Sequence, residues 1–159
     1  MKPCISGQLS SIVALGVALL SAGCAADEPG HYFEIDVVES NNGCTESDRR
    51  HTESFELRLV TNGPTATLFV DGSTFATGSI SGCSLSYQAP VFTEARPGGH
   101  VVRWTLFGQA TLNRGDGCDA GDGWEGTETI RVSSSTDPSI ERGCAFEMTT
   151  SGSWIGQVE

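Results

Sequence analysis

Lysine is nearly missing from this chain. Lys2 is the only one, and eight arginines are the remaining fixed cations against twenty aspartates and glutamates, for a formal net charge of −11. Nucleic-acid binding needs Lys and Arg to neutralise phosphates, so this balance excludes it as a main activity. It also works against electrostatic adhesion to anionic lipid heads. With no lysine after residue 2, amine and Schiff-base catalysis have no residue to use. Long hydrophobic runs are lacking too. The most apolar stretch, 12–20 (IVALGVALL), is far short of the roughly 20 residues that a membrane-spanning helix needs. After it, no apolar pattern at i, i+3, i+4 lasts long enough to predict a helix. No Cys/His cluster has zinc spacing, and no GxSxG-type nucleophile motif occurs.

What the first residues do contain is an address. Lys2, the apolar 12–20 stretch and the small residues Ser21-Ala22-Gly23 have the layout of a cleaved export signal. Leu20-Ser21-Ala22-Gly23-Cys24 resembles the lipobox of bacterial lipoproteins, with Ser21 where that family usually has leucine. The resemblance covers residues 1–24. It implies cleavage before Cys24, diacylglycerol on the Cys24 thiol and acylation of its freed amine. Two or more acyl chains anchor a protein stably where one does not. Ala25 in place of Asp after the cysteine implies, by the same resemblance, sorting to the outer membrane. Residues 1–23 therefore read as a signal peptide, 24–30 as the lipidated cysteine with a short polar tether, and 31–159 as a single β domain large enough for one core. That domain resembles the small, cysteine-containing, β-rich lipoproteins of unknown role found in GC-rich bacteria.

Strict alternation of apolar and polar residues dominates the remainder. Phe33, Ile35 and Val37 alternate with Glu34 and Asp36; Phe55, Leu57 and Leu59 with Glu56 and Arg58; Val102, Trp104 and Leu106 with Arg103 and Thr105. Such segments are antiparallel strands with one dry face. Further strands are predicted at 65–70 and 74–80, joined by the hairpin dipeptide Asp71-Gly72, and at 84–89, 127–132 and 144–150. Asn62-Gly63-Pro64, Arg96-Pro97-Gly98-Gly99 and Asp137-Pro138-Ser139 punctuate them as turns. The expected fold is all-β, an antiparallel meander of about eight strands, with an up-and-down, lipocalin-like barrel favoured over a two-sheet sandwich.

The cysteines bear on that choice. With Cys4 in the signal and Cys24 taken by lipid, an even set of four is left, which reads as two disulfides in an exported protein. In an eight-stranded meander Cys44 and Cys144 fall at one end, Cys83 and Cys118 at the other. A disulfide holds its Cα atoms within about 7 Å, so the meander predicts Cys44–Cys144 and Cys83–Cys118.

Candidate chemistry is sparse. Asp116, Asp119 and Asp122 recur among glycines in 113–126 (NRGDGCDAGDGWEG), oxygen donors of the kind calcium takes, although the spacing fits neither an EF-hand nor a nonapeptide repeat and a solvated turn explains it as well. Arg114-Gly115-Asp116 spells the integrin-ligand tripeptide, a match that chance supplies easily. Arg49-Arg50-His51 reads as a solvated loop. His31, His51 and His100 stand near strand ends or in loops, so no catalytic residue is assigned and no cofactor or metal is expected. The aromatics Phe55, Tyr87, Trp104 and Phe146 read first as core, and as the lining of a ligand pocket second. The function expected is that of a lipid-anchored, non-catalytic envelope lipoprotein, held to the membrane by covalent lipid, with an envelope protein or a small apolar ligand as partner. The rivals are a lipocalin-like carrier of a small apolar ligand and, behind it, an envelope hydrolase. A closed interior packed by Phe33, Leu57, Trp104 and Phe146 would speak for structure, an open lined cavity for carriage.

Overall fold

The computed structural model describes residues 28–44, 52–112 and 123–159. These form nine antiparallel strands: β1 (Gly30–Asn42), β2 (Thr52–Asn62), β3 (Thr65–Val70), β4 (Ser73–Ser81), β5 (Ser84–Gln88), β6 (Phe92–Arg96), β7 (His100–Leu112), β8 (Gly123–Ser135) and β9 (Ala145–Val158). A single 3-10 turn, Pro97–Gly99, separates β6 from β7. Each strand pairs with its neighbours along the chain except β5 and β6, which do not pair with each other; β9 returns to β1, and β5 and β6 both pair with β7. The sheet is thereby closed into an all-β, up-and-down ring.

The strand expected at 84–89 is β5; β6, which no expected strand covers, is the ninth. Both β5 and β6 run antiparallel to β7, Ser84–Gln88 against Phe107–Thr111 and Phe92–Arg96 against His100–Trp104. They are one strand interrupted at Ala89-Pro90-Val91, where Pro90 has no N–H to give to a ladder. Hence the ring has eight staves, one of them broken.

Turn chemistry explains the connections. Asp71 and Gly72 both adopt positive φ, 50° and 72°, as a two-residue hairpin turn requires. After β8, Asp137 Oδ1 accepts from both the backbone N–H and the hydroxyl of Ser139, at 2.9 and 2.6 Å, and so caps that turn with its own side chain. Those hydrogen bonds hold the Asp137 carboxyl below its usual range.

The interior is packed unevenly. At the end of the ring that holds the β2–β3 and β4–β5 turns, Phe33, Leu57, Leu59, Leu68, Leu112 and Trp124 are all at most 2 % exposed. The Trp124 ring meets Phe33 edge-on at 5.8 Å and tilts against Tyr87 at 5.9 Å. A second, smaller cluster lies at the other end, where β7, β8 and β9 run past the shorter strands. There Val102, Trp104, Val132 and Ile140 pack with the Cys44–Cys144 disulfide, whose Cα atoms are 5.0 Å apart. Cys83, in the β4–β5 turn at the far end, is also disulfide-bonded. Its expected partner Cys118, and the loop carrying Asp116, Asp119 and Asp122, lie outside the described residues, as do Cys24, Arg49, Arg50, His51 and Arg114.

The strand predictions for β1 to β5 lie within a few residues of the structure. The later strands are longer than expected: β7 continues through Gly108 to Leu112, β8 begins at Gly123, and β9 runs on through Gly152 and Gly156 to Val158. Their glycines and Ser/Thr runs carry no apolar alternation to read. Close packing demands some of those glycines. A Cβ on Gly108 would overlap the Tyr87 ring, and one on Gly152 would come within 2.7 Å of Ile35.

Candidate functional site

Between the two packed clusters lies a cavity of about 520 Å³. Its walls follow from strand parity. Val37 on β1, Phe55 on β2, Leu106 on β7, Ile130 on β8 and Met148 on β9 all line it. Each shares its strand face with residues of the packed core, so the cavity continues the interior of the ring. Its mouth lies at the end where β2 and β4 begin and β3 ends, marked by Glu53, Val70 and Thr74.

The broken stave makes the opening. Pairing between β4 and β5 stops at Thr77↔Gln88. Beyond it, Phe75 and Thr74 stand on one side of a slot and Ala89, Pro90, Val91 and Phe92 on the other, all of them lining the cavity. Val91 is 55 % and Phe92 42 % exposed, an apolar lip where a surface would ordinarily be polar. This lip is firmly held. Ala89 N–H donates to the Leu106 carbonyl at 3.1 Å, Phe92 stacks on Trp104 at 6.4 Å, and the Trp104 indole N–H donates to Glu94 on β6 at 3.0 Å.

One polar pair interrupts the apolar walls. Glu128 on β8 is only 6 % exposed and lines the cavity. Its carboxylate oxygen Oε1 accepts a hydrogen bond from the Tyr87 hydroxyl. Register explains how a residue on β5 reaches one on β8. Tyr87 pairs with Gly108, and Gly108 pairs with Glu128, so the three lie in one row across the sheet. The middle residue has no side chain, which lets the Tyr87 ring lie across it toward the carboxyl. Burial pushes the Glu128 carboxyl above its usual range, while the Tyr87 hydrogen bond pulls it back. The Tyr87 phenol is driven far up, by burial first and then by the charge and hydrogen bond of Glu128. A second buried bond, from the Trp124 indole N–H to Thr150 Oγ1 at 2.9 Å, locks the floor below.

Of the four residues expected to pack the interior, Phe33 and Leu57 belong to the closed end, and Trp104 and Phe146 to the cluster beyond the cavity, with their rings 5.2 Å apart. Phe55 faces the cavity. His31, on β1, and His100, at the start of β7, are at opposite ends of the ring and form no site together. Among the described residues no group of three His, Cys, Asp or Glu is placed to hold a metal ion.

Glu128 was not singled out from the sequence, yet a signal existed. It shares its face of β8 with Ile130 and Val132, and a carboxylate at period two with buried aliphatics is out of place on a dry face. The arrangement is that of an antiparallel β ring, packed at one end and hollow toward the other, with one buried carboxyl in the hollow. Comparison with protein-family models, curated proteins and solved structures finds no match for the chain.

Proposed function

We propose that this protein is a binding module that holds a small, largely apolar molecule in the cavity of its β ring, on a domain anchored by lipid at Cys24 to the bacterial envelope. The cavity itself carries the reading: about 520 Å³, walled by Val37, Phe55, Leu106, Ile130 and Met148, within the roughly 300–1,000 Å³ of small-molecule sites. Each buried methylene of a ligand contributes about 0.8 kcal/mol. After the loss of translational and rotational freedom, which takes several kcal/mol, a chain of eight to ten carbons is expected to bind at roughly millimolar concentration. A catalytic reading has less to rest on, since no His, Ser or Cys is among the described residues that line the cavity.

An anchor at Cys24 would be compatible with the cavity. The Tyr32 hydroxyl donates to the Glu28 carbonyl at 2.7 Å, and Arg58 forms an ion pair with Glu28 and donates to the Pro29 carbonyl at 3.1 Å. The described chain therefore starts at the closed end of the ring. Cys24 precedes Glu28 by four residues, which can reach about 14 Å at most. Val37, the cavity residue of β1, stands seven residues beyond Gly30, roughly 23 Å along the strand. A membrane holding Cys24 would thus face the closed end, and the ligand would enter from the aqueous side.

The neutral fluorophore N-phenyl-1-naphthylamine tests the cavity. It should brighten saturably with one equivalent per chain, and Val70→Trp, which narrows the mouth, should abolish this without loss of folding. Binding that is absent, or that Val70→Trp leaves untouched, would remove the proposal. The anchor is checked separately, by incorporation of labelled palmitate into the wild type but not Cys24→Ala.

A further inference from the structure

The chemistry of the cavity also restricts the head of the molecule it would hold; this step rests on the binding reading above. Among the described residues that line the cavity, Glu128 is the ionisable one inside and Glu53 stands at the mouth. An anionic head beside Glu128, such as the carboxylate of a fatty acid, would meet another carboxyl group. A neutral, wholly apolar ligand would leave Glu128 sealed among aliphatic side chains with the Tyr87 hydroxyl as its hydrogen-bond donor. A buried carboxylate is stabilised by an opposite charge and by donors. Tyr87 supplies one donor from the packed side, and the cavity is the side from which a second can come.

We infer that the ligand is an amphiphile with a cationic, hydrogen-bond-donating head, a protonated primary or secondary amine on an apolar body, and that Glu128 is the residue that receives it. The ammonium donates to the Glu128 carboxylate at the cavity's inner end while the apolar body lies along Leu106, Ile130 and Phe55. The acidity of the whole chain raises the local concentration of such cations and repels anions. Tyr87 acts as a positioning residue: its hydroxyl fixes the carboxyl from below through the gap that Gly108 leaves.

Three probes of equal chain length separate the head groups: octylammonium, octanol and octanoate, titrated calorimetrically into the purified full chain below their micellar concentrations. Octylammonium should bind about tenfold or more tighter than octanol, the discrimination expected of one charge-assisted hydrogen bond, and octanoate weakest of all. Glu128→Gln keeps the volume of the side chain and an acceptor for Tyr87. It should bring octylammonium to within about threefold of octanol and leave octanol itself nearly unchanged. Val70→Trp should weaken all three together, which separates the cavity from adsorption of cations on an acidic surface. Octanoate binding as tightly as octylammonium in the wild type overturns the inference without recourse to any variant, as does an amine preference that survives Glu128→Gln. Equal binding of all three leaves carriage standing and removes the head-group assignment; binding of none removes both.

Discussion

Replacing Tyr87 by Phe takes one oxygen atom from the interior, and the structure says what that should do. The ring keeps its place over Gly108 and its contact with Trp124, so packing changes little. What disappears is the donor to Glu128, a carboxyl only 6 % exposed. A hydrogen bond to a charged group is worth about 1.5–3 kcal/mol and one between neutral groups about 1 kcal/mol. The loss should therefore depend on pH. Glu128 is raised in the fold above its unfolded value of 4.5, so the folded state holds its proton more tightly than the unfolded state. Its contribution to stability is greatest below pH 4.5 and declines as pH rises toward the folded value, where the carboxylate is buried in charged form. Tyr87→Phe removes an interaction that favours the charged form, so the variant should lose about 1 kcal/mol near pH 4 and about 2 kcal/mol near pH 8. For a domain of this size that is a fall in Tm of about 4 °C and about 8 °C respectively. Glu128→Gln should show the opposite trend, with stability flat across the range in which the wild type declines. Thermal unfolding by circular dichroism at pH 4, 6 and 8 measures both. A Tyr87→Phe loss that is larger at pH 4 than at pH 8, or a Glu128→Gln variant as pH-sensitive as the wild type, would refute the reasoning.

Three other outcomes are expected. Cys44→Ser with Cys144→Ser opens a loop of 100 residues and should lower stability by about 4–5 kcal/mol on the chain-entropy account, read from the urea midpoint with the wild type under oxidising conditions as reference. Gly108→Ala places a methyl group against the Tyr87 ring, so it should destabilise by about 1–3 kcal/mol and also reproduce the pH signature of Tyr87→Phe, because the ring must move away from Glu128. Trp124→Phe removes the indole donor to Thr150, buried at 3 % exposure, along with part of the closed-end packing; a loss of about 2–4 kcal/mol is expected in the same assay.

Much of the ring could be read from the chain. Period-two alternation placed Phe33, Ile35 and Val37, and Leu57 and Leu59, on the dry face, and Asp71-Gly72 marked a turn whose φ angles demand such residues. The ends of β7, β8 and β9 were harder, because their glycines mark places where a neighbour presses on the backbone, which a single chain does not reveal. The site was harder still. Tyr87 reads as a core aromatic, but that it meets Glu128 depends on the register of three strands and on an empty position between them. Local pattern carries the face of a residue; only pairing carries its cross-strand company.

Pro90 joins these two observations. In the sequence it ends the apolar alternation of β5 and conceals β6, which carries only five residues of its own. In the structure it ends the β4–β5 ladder at Gln88, and the wall between Thr74 and Phe92 stays open as a result. An unbroken eighth stave would pair Phe75 and Thr74 with backbone groups at 90 and 91 and close an interior which, in a ring of eight strands, is scarcely larger than its own side chains. The interruption instead turns Val91 and Phe92 outward as an apolar lip, while Phe92 and Glu94 on Trp104 keep the detached half from peeling away. A break that served only to relax the chain would not need that anchoring. A doorway would: if the cavity binds a ligand, as proposed, its frame must hold its shape while the cavity behind it is filled and emptied.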